Sequence, residues 1–186
     1  MTLQRFTFTL VTLAASAVLH AGARSTTLPV ETDANRTASR LLQTLADHAV
    51  HVRDNIGSVV EMSAVPSFHW QTYAIRLNLA ATDINAMGRT LAQLELLRDK
   101  VQPWQRVAID EATPLARLMA KSASDAISAL GDNKVIPWRS PLPSALQSLY
   151  KESDQMRTVI HKLEKYAKVH SEDRQLENEL NLASGS

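Results

Sequence analysis

The chain has 186 residues, of which 45% are apolar and 21% charged. That composition suits one packed domain, with or without a removable leader, and excludes wholesale disorder. Twenty Lys and Arg stand against nineteen Asp and Glu, with no basic block, so binding of nucleic acid through phosphate neutralisation is not expected. Cysteine is absent, which excludes disulfides, thiolate metal sites, cysteine nucleophiles and lipid attachment at an N-terminal cysteine.

Residues 1–23 carry one charge, Arg5, ahead of an apolar run from Phe6 to Leu19, and close on the small residues Ala21, Gly22 and Ala23. This is the pattern of a secretory signal peptide cleaved after Ala23. The run, about 14 residues, falls short of the roughly 20 that span a bilayer as a helix. Loss of Arg5 leaves 19 positive and 19 negative side chains, a formally neutral mature chain. The expected location is therefore periplasmic or secreted, with no stable membrane span after cleavage. Residues 24–34 are polar and read as a flexible lead-in, with Asp33 as N-cap of the next segment.

Four stretches then keep a three-four apolar spacing, the signature of a helix burying one face. The first helix, about 35–62, aligns Ala38, Leu42, Leu45, Ala49, Val52, Ile56 and Val59, with Gly57 as a weak point near its end. Pro66 closes it. The second, about 68–101, is capped by Ser67 and aligns Trp70, Tyr73, Leu77, Ala80, Ile84, Met87, Leu91 and Leu94. A helix of that span is about 50 Å long. Asn78 and Asn85 share one flank of it, suited to a hydrogen bond that fixes register.

The third, about 103–130, opens at Pro103 and aligns Ala108, Ala112, Leu115, Met119, Ser122, Ala126 and Ala129, reinforced by Leu118, Ile127 and Leu130. Pro114 should kink it, and Gly131 should cap its end. Asp110 and Glu111 near its start suit the helix dipole and have no neighbouring base or nucleophile. The fourth, about 141–170, opens at Pro141 and Pro143 and aligns Leu142, Leu146, Leu149, Ser153, Met156, Ile160, Leu163 and Ala167. Residues 171–186 read as a frayed or disordered tail. Short connections make consecutive helices antiparallel neighbours. The fold class expected is thus all-α, an antiparallel up-and-down four-helix bundle over 35–170. A long hairpin assembling as a dimer is the alternative.

Antiparallel order brings the start of the second helix and the end of the third to one pole. Phe68, His69, Trp70, Trp138 and Arg139 should meet there, beside Val135, Ile136 and Pro137. Such tryptophans plug the open end of a bundle, or they line an aromatic pocket in which Arg139 would meet an anionic group. Trp104, Tyr166 and His170 belong to the opposite pole. His48 and His51 place two imidazoles one helical turn apart, with Asp47 and Asp54 nearby. The apolar stripe puts His51 on the outward face and His48 on the flank. No physiological metal site is therefore expected, and this pair is the only candidate. Repeated Glu-x-x-His, Gly-x-Ser-x-Gly, P-loop and dinucleotide-binding signatures are absent, and Met87, Met119 and Met156 suit core filling better than haem ligation. The chain is expected to use no cofactor and to be no enzyme.

Trp70, Tyr73, Leu77, Asn78, Ile84, Asn85, Met87 and Gly88, followed by Pro103, Trp104, Gln105, Ala108, Ile109, Asp110 and Pro114, form a pattern across roughly residues 68–133. It resembles a group of uncharacterised exported bacterial proteins expected to be helical bundles. The resemblance implies bacterial origin, export and an all-helical fold, and carries over no catalytic or binding residue. The function expected is a binding or interaction module of the cell envelope, with an envelope protein or peptide as partner, as one chain or as an oligomer. The alternative is a carrier of a small ligand at the Trp70/Trp138 pole.

Overall fold

A computed structural model describes residues 32–62, 69–132 and 137–184. The signal-peptide reading of 1–23 and the lead-in up to residue 31 lie outside these, as do Pro66, Ser67 and Phe68.

Four α-helices make up the described residues: α1 (Asp33–Met62), α2 (Trp70–Leu97), α3 (Pro103–Asp132) and α4 (Leu142–Ser184). Short 3₁₀ turns at Arg98–Lys100 and Pro137–Arg139 lie after α2 and before α4. There is no strand among these residues, and no helix is long and apolar enough to cross a membrane.

Each helix start shows why it begins where it does. Thr32, not Asp33, caps α1: its Oγ1 accepts the Asn35 backbone N–H at 3.2 Å, and Asp33 instead pairs with Arg36 within the first turn. The cap position of α2 is His69, in extended backbone and with no side-chain cap bond; the expected cap Ser67 lies outside the described residues. At α3, Gln105 Oε1 accepts the Gln102 N–H at 3.0 Å, half of a capping box, and Pro103 sits where no donor is needed. Ser140 Oγ accepts the Leu142 N–H at 3.1 Å ahead of α4.

The seams pack as their spacing predicts. All seven stripe residues of α1 are buried, and so are Tyr73, Leu77, Ala80, Ile84, Met87 and Leu94 of α2, with Trp70 and Leu91 partly buried against them. On α4 the buried line runs from Leu142 to Ile160. The helix α3 contributes mostly short side chains, Ala108, Ala112, Ala116, Ala123, Ala126 and Ala129, beside Ile109, Met119 and Leu130. Leu118 and Ile127, expected to reinforce this seam, are exposed: each lies one position off the buried stripe. One shared core results. In it α1 packs on α2 and α4, and α3 on α2 and α4, while α1 and α3 meet only slightly across the middle.

Three expectations about helix ends need correcting. First, α3 runs past Gly131 to Asp132, while the exposed Pro114 lies within it without splitting it, in line with the stripe that continues beyond. Gly131 is thus a residue of the last turn, and no described glycine adopts a left-handed conformation. Second, the helix written as reaching residue 101 ends at Leu97 and tightens into a 3₁₀ turn, held by Arg98 donating to both carboxylate oxygens of Asp110, at 2.7 and 3.0 Å. This bond is the structural use of Asp110. Third, α4 continues to Ser184 instead of ending near 170. At 43 residues it is about 65 Å long, against about 45 Å for the 30-residue α1.

Candidate functional site

The expected aromatic pole is only partly in view. Phe68 and the Trp138 side chain lie outside the described residues. Trp70 is half-buried against the core, and the His69 and Arg139 side chains are exposed. The described residues thus show no converging set of polar groups at this end. Tyr73, one turn inward, is buried and its hydroxyl has no hydrogen-bond partner, so burial holds its pKa above the ordinary phenol value. Asn78 and Asn85 are exposed, and among the described residues no hydrogen bond from either side chain crosses to a neighbouring helix.

A tighter constellation lies midway along the α1–α2 seam. His48 follows the buried Leu45 and precedes Ala49, which places its ring on the rim of the core. Asp83 lies between buried Ala80 and Ile84 on α2 and faces the same rim. His48 Nδ1 is 2.8 Å from Asp83 Oδ1, and His51 Nδ1, one turn on, is 3.6 Å from the same oxygen. The two rings stand edge to face with centroids 6.3 Å apart. Side-chain exposure rises across the set, from 19% for Asp83 to 25% for His48 and 62% for His51. The group is therefore anchored at the core rim and open to water on one side. Among the described residues it is the only cluster of three His, Asp or Glu whose donor atoms converge closely enough to share a metal ion.

In the sequence, Asp47 and Asp54 are the carboxylates near His48 and His51. The structure instead gives Asp47 to Gln43 and Asp54 to Arg53. The partner missed there, Asp83, was accessible by register. The pairs His48–Asp83 and Asn55–Arg76 both straddle a midpoint between residues 65 and 66, at the expected turn around Pro66.

Comparison with known proteins adds no assignment. No protein-family model matches the chain, and no curated protein or solved structure matches it. The functional reading therefore rests on the molecule's own surfaces.

Two such surfaces remain. An open groove between α1 and α4 is lined by Arg53, Asp54, Gly57, Ser58, Glu61 and Tyr150. Its floor exists because Gly57 lets the Tyr150 ring approach: a Cβ there would stand 3.1 Å from Tyr150 Cε2. Arg53 already pairs with Asp54 and Asp154, which leaves the exposed Glu61 as the other charged group in the lining. The second surface is the continuation of α4. Beyond Ala167 every described side chain is exposed. Tyr166, Val169, Leu176 and Leu180 fall on one helical face with exposures from 46% to 70%, and the Tyr166 ring stacks edge-on against His170 at 4.1 Å.

Proposed function

We propose that the protein is an exported, non-enzymatic interaction module of the bacterial cell envelope, an up-and-down bundle that presents the continuation of α4 to an apolar-faced helix of an envelope protein. The observation that carries this reading is the exposed face of Tyr166, Val169, Leu176 and Leu180 on a helix that outruns its neighbours. These residues keep the three-four register that one helix offers to another in a groove or a coiled coil, with the charged Asp173 at the position between Val169 and Leu176. Charge along the same segment is ordered. Lys162, Lys165 and Lys168 outweigh Glu164 in the first half, and Glu172, Asp173, Glu177 and Glu179 outweigh Arg174 in the second, so a partner helix with the reverse net order gains at both ends. The leader-like residues 1–23 support export, and the likeness of 68–133 to exported bacterial helical proteins points the same way.

A photo-crosslinking residue at position 176, in the full chain expressed with its leader, tests this reading. The expected result is one discrete adduct, identified by mass spectrometry as an envelope protein and lost in the Leu180→Asp variant. Adducts consisting only of a second copy of this chain, or an adduct pattern unchanged by Leu180→Asp, would overturn it.

A further inference from the structure

We propose that His48, His51 and Asp83 form a binding site for a divalent transition ion, with zinc as the best fit. The donor set is two imidazole nitrogens and one carboxylate oxygen, which suits zinc and its first-row neighbours and not calcium or magnesium. Its geometry is close to what the ion requires. In a tetrahedral zinc site with bonds of about 2.0–2.1 Å, ligand atoms are about 3.3 Å apart. The two nitrogen–oxygen separations here, 2.8 and 3.6 Å, bracket that value, and all three donor atoms lie within 4.8 Å of one another.

Two of the ligands are already positioned. His48 and Asp83 are held by rigid helices at the core rim, so only the exposed His51 ring has to settle. Ion entry replaces the hydrogen that bridges His48 Nδ1 and Asp83 Oδ1. The imidazole then carries its hydrogen on Nε2, the tautomer that a metal-bound Nδ1 requires. Water on the open side supplies the remaining position. One carboxylate leaves the bound ion with a net positive charge, so affinity on the order of micromolar is expected, well below that of thiolate sites. Because the ligands come from α1 and α2, the ion would staple these two helices at mid-height.

The alternative use of the same atoms is a plain hydrogen bond between helices, and titration calorimetry separates the two. With ZnCl₂ added to the full chain in a non-chelating buffer near neutral pH, one ion per chain is expected. His51→Ala, at an exposed position where folding is not at stake, should weaken binding at least about tenfold, and Asp83→Asn should do the same. Zinc should also shift the imidazole NMR signals of His48 and His51 and leave that of His69 in place. Absence of binding at tens of micromolar zinc, or full affinity retained by either variant, would overturn the site.

Discussion

Gln105 shows how much one residue can hold together. It is buried, and its side-chain nitrogen donates to the Asn35 carbonyl at 2.8 Å and to Ser39 Oγ at 3.0 Å, while its oxygen caps α3. It thereby ties the start of α3 to the start of α1. Removing it strands a buried carbonyl, and unmade buried hydrogen bonds cost about 1–3 kcal/mol each. Gln105→Ala is expected to lower the unfolding free energy by about 3 kcal/mol, measurable by urea denaturation. Glu152 makes the opposite case. Burial raises its pKa against the opposing effects of Ser122 and Lys121, and its Oε2 has no hydrogen-bond partner. A carboxyl with a raised folded-state pKa stabilises the fold when protonated, and that contribution is lost as pH rises through the folded value. Glu152→Gln keeps an oxygen for the Ser122 hydroxyl and removes the charge. The variant should be more stable than the parent by about 0.5–1 kcal/mol at pH 7, with the gap closing towards pH 4. Neither role was legible in the sequence. Gln105 stands in the register of the apolar stripe, three residues before Ala108, and Glu152 stands on a polar flank, but what each of them meets shows only once the neighbouring helix is known.

At the scale of the element, the seams were legible and the ends were not. Three-four spacing is set by the helical repeat and survives any detail of packing, which is why almost every stripe residue is buried. Ends depend on single hydrogen bonds. Thr32 outranks Asp33 because its hydroxyl meets the Asn35 N–H, and Arg98 ends α2 because Asp110 is there to receive it. The cluster at His48 falls between these cases: its spacing was visible, but its third member required the register of two helices. Two glycines inside helices, Gly57 near the end of α1 and Gly88 within α2, differ in a way that sequence could not show. Gly88 is exposed, with no atom within 4 Å of an added Cβ, whereas Gly57 receives the Tyr150 ring. Gly88→Ala is expected to stabilise by about 1 kcal/mol and to raise the melting temperature by about 2–4 °C in scanning calorimetry. Gly57→Ala should give less, because the same gain in helix propensity is offset by displacement of the ring.

At the scale of the molecule, the all-helical, four-helix arrangement followed from periodicity, while the expected aromatic pole lies partly outside the described residues. The tryptophan that can be judged best, Trp104, is half-buried at its helix start and donates its Nε1–H to Gln102 at 3.2 Å. That is the bland role of a bundle plug with a wet edge. The polar content after His170 points to helix extension at best and then a disordered end, but polarity alone does not stop a helix whose first turns are already formed, and α4 extends to Ser184. This has a mechanical consequence. The outer turns of α4 inherit their nucleus from the packed turns behind them, yet their described side chains are exposed. They behave as a beam clamped at one end, whose stiffness depends on what rests along its free length.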